Sequence, residues 1–432
     1  MKSLSDRQPA HSEENQSTHE TVILAIQNLR KMEMPNKLNP ASTKPVYQDV
    51  NLLIVVSVTL MEILGTMSVN PVLPGIAREF ELSPQQIGWV TTAFVVPIAI
   101  GGIICGVLSD RFGRKIILVP SLFLFATAGV ACAFAPNFQI LLTLRFLQGV
   151  GAASLEALPL TLICDLYTGR QLTAAMGFNA SAIGLSLAVY PLLGGGLASM
   201  GWRNAFALPL VAVLVGIWLW KSLRLPEQQH YENFNFWVYL RDVWSSIRRG
   251  RVIKLLFIVV ALFVLLFGAY LTYIPTVADS LGASEIEIGI LLASMAVFFA
   301  LTSSQLGFLA RSLSEQTLIK ISFSIYTLAL VITPAIDSIG LLFIPSILFG
   351  IAHGIVYPTT QALLAELAPN HNRAGFMAVA AIAIPLGQAI GPVLGGLAFS
   401  AWEMRGVFYA GAFLAIATLG SLRYLIPRTK KA

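Results

Sequence analysis

Charge is what this sequence has least of. Only 12% of its 432 residues are Asp, Glu, Lys or Arg, about half the share in a soluble domain. With 56% hydrophobic residues and a mean hydropathy of +0.74, a single soluble core is excluded and repeated membrane crossing is implied. Cysteine is nearly absent. Cys105, Cys132 and Cys164 lie in or beside apolar runs and form no close pair, which excludes a disulfide framework or a thiolate metal site. There is no Gly-x-x-x-x-Gly-Lys-Ser/Thr phosphate loop, so ATP is not the direct driver, and no His-Glu-x-x-His motif. No convergent nucleophile set suggests an enzyme, and no cofactor or metal is expected. The net charge of +6 falls in loops and tails, which fits membrane topology and gives no reason to expect nucleic acid. The first 47 residues lack the basic start, apolar run and cleavage site of a secretory signal. Within them, residues 21–29 read either as a short surface helix or as part of a partly ordered tail.

What the chain does have is long apolar stretches. Twelve runs of roughly 20 residues follow from Val50 onward: 50–71, 86–107, 116–135, 138–163, 172–199, 204–222, 253–275, 286–308, 317–335, 340–363, 374–398 and 406–425. If the even-numbered connections and the C-terminal tail share one side, that side holds Arg111, Arg114, Lys115, Arg170, Lys221, Arg224, Arg241, Arg248, Arg249, Arg251, Lys254, Arg311, Lys320, Arg373, Arg423, Arg428, Lys430 and Lys431. The other side holds only Arg78, Arg203 and Arg405. This bias places both termini in the cytoplasm. The expected fold is an all-α membrane protein: a tail over 1–49, a six-helix bundle over 50–223, a linker over 224–251, a second six-helix bundle over 252–426 and a tail over 427–432. The linker, with Trp237, Trp244 and the run Arg248-Arg249-Gly250-Arg251, is expected to lie along the inner face.

The two halves repeat at one offset of 201 residues. Ile87-Gly88 matches Ile288-Gly289, Gly106 matches Gly307, Asp165 matches Glu366, and Pro191-Leu192-Leu193-Gly194-Gly195 matches Pro392-Val393-Leu394-Gly395-Gly396. Small residues recur at every fourth position over Ala383, Gly387, Gly391 and Gly395, and over Ala180, Gly184 and Ala188. Such stripes let helices approach closely.

One charged stretch interrupts the apolar runs: Gly106-Val107-Leu108-Ser109-Asp110-Arg111-Phe112-Gly113-Arg114-Lys115. A glycine closes one run, charges follow, and the next run begins at once. Its order resembles the loop signature of the major facilitator superfamily. Arg145-Phe146-Leu147-Gln148-Gly149-Val150-Gly151 is similar to that superfamily's fourth-span signature. Pro191-Leu192-Leu193-Gly194-Gly195 is similar to the antiporter signature of its twelve-span drug:proton branch. The resemblance covers about residues 50–426. It departs from that branch at Tyr190, where a glycine is usual (Gly391 supplies one in the second copy), and at Glu62, where an Asp is usual. In the second copy of the loop signature, Arg311 stands where Asp110 does.

Ionisable groups inside a membrane are candidate functional residues. Glu62, Arg145 and Glu156 are the candidates for proton coupling. By depth, Glu62 and Arg145 are expected to face each other, with Arg145 on the backbone carbonyls of the first run as the structural alternative. Asp110, Arg111, Arg114 and Asp165, with Gly106 and Gly113, are candidates for a cytoplasmic gate latch, and Asp110 is expected to accept from the helix start near Arg373–Gly375. Pro191, Gly194, Gly195, Gly387, Gly391, Pro392 and Gly395 are candidates for antiporter-type helix packing. Asn70, Asn179, His353, Tyr357, Gln361 and Gln388 are candidates for a substrate cavity, though an intramembrane histidine is as often a packed core residue. The expected activity is proton-coupled efflux of small hydrophobic or amphipathic compounds by alternating access. The alternatives are a transporter of a defined metabolite (a sugar, siderophore or amino-acid derivative) and a non-transporting sensor on the same fold. The expected partners are the substrate, protons and the lipid bilayer, with the protein a monomer in the cell's inner membrane.

Overall fold

The computed structural model describes residues 46–225, 250–367, 376 and 380–425. The surface-helix segment at 21–29, most of the linker, the Arg373–Gly375 helix start and the 427–432 tail lie outside them.

Every regular element among the described residues is helical. Helix α1 (Val50–Met67) begins at Asp49, whose carboxylate accepts from the Asn51 amide. It continues through a 3-10 turn and the short α2 (Leu73–Glu79). Helix α3 (Pro84–Phe112) and α4 (Arg114–Ala131) follow, then α5 (Phe138–Leu166), α6 (Gly169–Ala198) and α7 (Val211–Ser222). The second half starts with α8 (Gly250–Leu265), a π-turn over Leu266–Leu271, and α9 (Thr272–Ser280). It goes on with α10 (Glu285–Ser304), α11 (Leu306–Ser312), α12 (Glu315–Ile332), α13 (Ile339–Leu367) and α14 (Ala383–Leu425). Eleven segments among the described residues are long and apolar enough to cross a membrane. The last of these contains α14, where non-helical backbone at Trp402 and Glu403 divides two helices.

The repeat read in the sequence recurs in the construction. Ser83 opens α3 and Ser284 opens α10, each with a capping box completed three residues on, by Gln86 and Glu287. Within the first half, Gly149 of α5 lies so close to α3 that a Cβ there would stand 2.1 Å from the Phe94 carbonyl oxygen. In the second half, 201 residues on, Gly350 of α13 stands in the same way 2.3 Å from the Met295 oxygen of α10. The π-turn is peculiar to the second half. It frees the Phe267 carbonyl, which the Thr272 hydroxyl then satisfies at 2.6 Å, and it sets Gly268 against Gly391 and Gly395.

Gly106 does not close a helix. Helix α3 runs through it to Phe112, and the break is the single residue Gly113 at φ +95°, a region that side-chain-bearing residues avoid. The corresponding position of the second copy, Ser314, has extended backbone and caps α12 instead. The second copy has therefore lost its glycine turn together with its aspartate.

Candidate functional site

Arg145 sits 1% exposed where α5 meets α1 and α3. Its Nη1 donates to the Gly65 carbonyl of α1 at 3.0 Å and to Gln148 Oε1 at 2.8 Å, and its Nε donates to the Val90 carbonyl at 3.3 Å. The guanidinium also lies over the Phe94 ring, 4.3 Å from its centroid. The expected partnership with Glu62 is thus corrected: of the two arrangements considered from sequence, Arg145 takes the backbone carbonyls.

Glu62 has Glu156 as its neighbour instead. The reason is helix length. Helix α5 has 29 residues and extends beyond the apolar core, so counting inward from its far end misplaces its residues. Counted from the Gly113 end, Glu62 lies about 18 Å along α1, Glu156 about 15 Å along α5 and Arg145 about 31 Å. The two glutamates share a level; Arg145 is about three turns beyond. Glu62 is half-buried and Glu156 exposed, so the carboxyl pair is accessible. Tyr357 is the residue 201 positions after Glu156.

At the Gly113 end, Arg114 is almost fully buried and bridges two acids. Its Nε lies 2.6 Å from Asp165 Oδ2 and its Nη2 3.4 Å from Asp110 Oδ1. This ties the α3–α4 turn to the end of α5, all within the first half. Arg111 is exposed and lies over the Phe112 ring. The proposed partner of Asp110 at Arg373–Gly375 is outside the described residues.

The cavity candidates separate. His353 is buried, its Nδ1 2.7 Å from the Tyr326 hydroxyl, and packed among Phe263, Phe299 and Tyr357. That is the environment of a satisfied core histidine. Tyr357 and Gln361 are half-buried and joined by a 3.3 Å hydrogen bond. Asn70 and Asn179 are buried, and Gln388 is half-buried.

The packing candidates fall into two groups. Gly387, Gly391 and Gly395 set α14 against α8 and the π-turn, within the second half, and Gly194 sets α6 against Ser68. Pro191, Gly195 and Pro392 lie on the seam between the halves. A Cβ on Gly88 would meet Pro392 at 3.0 Å, one on Gly289 would meet the Pro191 oxygen at 2.6 Å, and one on Gly195 the Glu285 oxygen at 2.3 Å. Thr92 donates to the Ala389 carbonyl at 3.3 Å, Gln85 to Ser400, and Arg78 pairs with Asp279 and, at 2.9 Å, with Glu285. All these contacts lie at the end of the molecule that carries Gly201. Toward the Gly113 end, a side chain on Gly106, Gly177, Gly184 or Gly307 would meet nothing within 4 Å. The halves are closed together at the Gly201 end.

Sequence reasoning missed Gln148, Tyr326 and the Arg78 cluster. Gln148 stands one helical turn after Arg145 within the quoted fourth-span stretch, a signal that could have found it, whereas Tyr326 has no pattern to betray it. Adding the repeat offset to Arg78 would have pointed to Asp279.

A model of the family described as Major Facilitator Superfamily matches residues 55–331 and 256–432. Multidrug resistance protein 2 of Bacillus subtilis (strain 168) is 28% identical over 388 residues, 86% of this chain and 94% of that protein. The bacillibactin exporter of the same organism is 26% identical over 331 residues, 73% of this chain and 81% of that protein. Among solved structures, a bacterial homologue of the human lysosomal transporter Spinster, in an inward-facing and occupied conformation, superposes with a TM-score of 0.69 at 18% identity, covering 88% of this chain and 95% of that one.

Proposed function

Since the chain belongs to the Major Facilitator Superfamily, and is thus a membrane transporter and not an enzyme, we propose that it exports small hydrophobic or amphipathic organic compounds in exchange for protons by alternating access. The observation that carries this reading is the Glu62–Glu156 pair. Two neighbouring carboxyl groups can share one proton, one donating while the other accepts. Accessible as it is, the pair takes up a proton from one side of the membrane and delivers it to the other as the transporter changes sides. Arg145, about three turns along α5 from Glu156, supplies a fixed positive charge that favours the deprotonated pair once the proton has a way out.

The cation bias sets the Gly113 end in the cytoplasm, with twelve crossings once α14 is counted as two. We read the described state as open inward in that orientation, because the seam contacts close the opposite end. Substrate then enters from the cytoplasm or inner leaflet and meets Tyr357, Gln361 and Gln388. Arg114 with Asp110 and Asp165 shapes the inner end, where the latch closes when the cavity opens outward. The membrane is the cell's inner membrane, and the monomer is the transporting unit. Likeness to a multidrug resistance protein along nearly the whole chain favours a broad substrate range. Likeness to an exporter of one compound, bacillibactin, supports a second reading in which the cargo is a single defined metabolite.

The test is transport in liposomes. Purified protein is reconstituted with an internal pH dye and challenged with lipophilic cations, sugars and siderophores. Substrate-driven proton movement is expected for the lipophilic compounds and is expected to vanish in Glu62→Gln. Coupling that persists unchanged in Glu62→Gln sinks the carboxyl-pair mechanism. A response to siderophores alone selects the second reading.

A further inference from the structure

Arg78 and Asp279 are 201 residues apart, the offset that relates the two halves. They occupy equivalent places, near the ends of α2 and α9. A rotation that exchanges the halves exchanges these two residues, so they can touch only on its axis. Several other positions of the repeat preserve residue type: Gly88 and Gly289, Pro191 and Pro392, Ser83 and Ser284. On the axis, preservation would set like charge against like. The sequence has Arg in one copy and Asp in the other, which turns repulsion into attraction. The guanidinium fork extends further: one Nη pairs with Asp279 and the other with Glu285 Oε1 at 2.9 Å. Arg78 is thus a first-half cation held by two second-half carboxylates.

Its position gives the cluster a purpose. The end with few cations retains Arg78, Arg203 and Arg405. Arg203 pairs with Glu79 at 3.0 Å inside the first half, whereas Arg78 crosses the seam. The neighbouring seam contacts, Gly88 on Pro392 and Gly289 on Pro191, are backbone against small residue and carry no charge. The ion pairs are partly open to solvent, with the Arg78 side chain 55% exposed and the acids 28% and 24%. That makes each pair weak enough to break within a transport cycle.

We propose that Arg78, Asp279 and Glu285 form a latch on the axis between the halves that holds the Gly201 end shut, and that its rupture is what allows the cavity to open on that side. This rests on the alternating-access reading above. The test reads conformation instead of transport, so that the two can fail separately. Full-length protein, with Cys105 and Cys164 replaced by serine, is spin-labelled at the exposed positions Met200 and Ser280, and the distance distribution is measured in lipid nanodiscs. Arg78→Gln is expected to raise the ratio of long to short distances about five-fold. The double variant Asp279→Asn/Glu285→Gln is expected to do the same from the other side, and decides alone should Arg78→Gln not fold. Gly289→Leu, which forces the seam without touching the latch, is the control. If Gly289→Leu lengthens the distance while the charge variants leave it unchanged, the latch is overturned and alternating access stands. If no variant lengthens it, both fall. If the charge variants lengthen it while liposome export is absent, the latch stands without the export reading.

Discussion

Two crowded glycines should respond in opposite ways to the same substitution. Gly149 faces the Phe94 oxygen inside the first half, and Gly289 faces the Pro191 oxygen across the seam; an added Cβ would lie 2.1 Å and 2.6 Å from those atoms. A carbon meets a carbonyl oxygen at about 3.3 Å or more. Alanine therefore demands about 1.2 Å of movement at Gly149 and about 0.7 Å at Gly289, between helices that are backbone against backbone at both places. Overpacking of that size costs about 1–3 kcal/mol. At Gly149 the cost falls on every folded state, because α3 and α5 do not part during a cycle, and alanine's better helix propensity, about 1 kcal/mol, offsets it only partly. At Gly289 the cost falls on the closed seam alone. The propensity gain is common to closed and open forms and cancels in their ratio. Gly289→Ala should therefore shift the open-to-closed ratio about 5- to 150-fold with little loss of thermal stability, and Gly149→Ala should lower stability with little shift. The measurement pairs label distances between Met200 and Ser280 with thermal unfolding of the purified protein. If Gly289→Ala destabilises as much as Gly149→Ala and leaves the distances alone, the seam is a fixed core contact and the division into moving halves is wrong.

Three further outcomes test the first half. Arg145→Lys keeps the charge but not the fork, so the Gly65 and Val90 carbonyls and Gln148 cannot all be satisfied; the loss should be about 1–3 kcal/mol, seen as a lower unfolding temperature, and an unchanged one would show that the three acceptors do not matter. Arg114→Ala should destabilise clearly, because Asp165 loses its 2.6 Å partner, while Asp110→Asn, at a 59% exposed side chain and 3.4 Å, should leave unfolding unchanged and slow only the transport rate measured in liposomes.

The fold was legible because hydropathy is a long-range signal and membrane crossing demands it. The apolar runs correspond to the helices nearly one for one, the last two merging into α14 across its break at Trp402 and Glu403. Helix ends were less legible. They are set by local devices, Gly113 at φ +95° and the capping serines Ser83, Ser284 and Ser314, and so overrun the apolar stretch. That overrun is why an estimate from core thickness set Glu62 opposite Arg145, whereas counting along the real helices sets it opposite Glu156. Arg114 with Asp165 could be anticipated, since both lie at helix ends on one side. Tyr326 with His353 could not, because a hydrogen bond between two separate helices leaves no periodic trace in either.

The repeat explains why the seam can be both tight and reversible. A contact between the halves off the axis occurs twice where the repeat preserves the residues, as Gly88 on Pro392 and Gly289 on Pro191 do. A strong polar interaction there would be doubled, and both copies would have to break together for the seam to open. Small residues against backbone avoid that difficulty, since parting them strands no buried charge. A contact on the axis occurs once. A weak, solvent-screened ion pair between Arg78 and Asp279, reinforced by Glu285, can therefore favour the closed end without locking it.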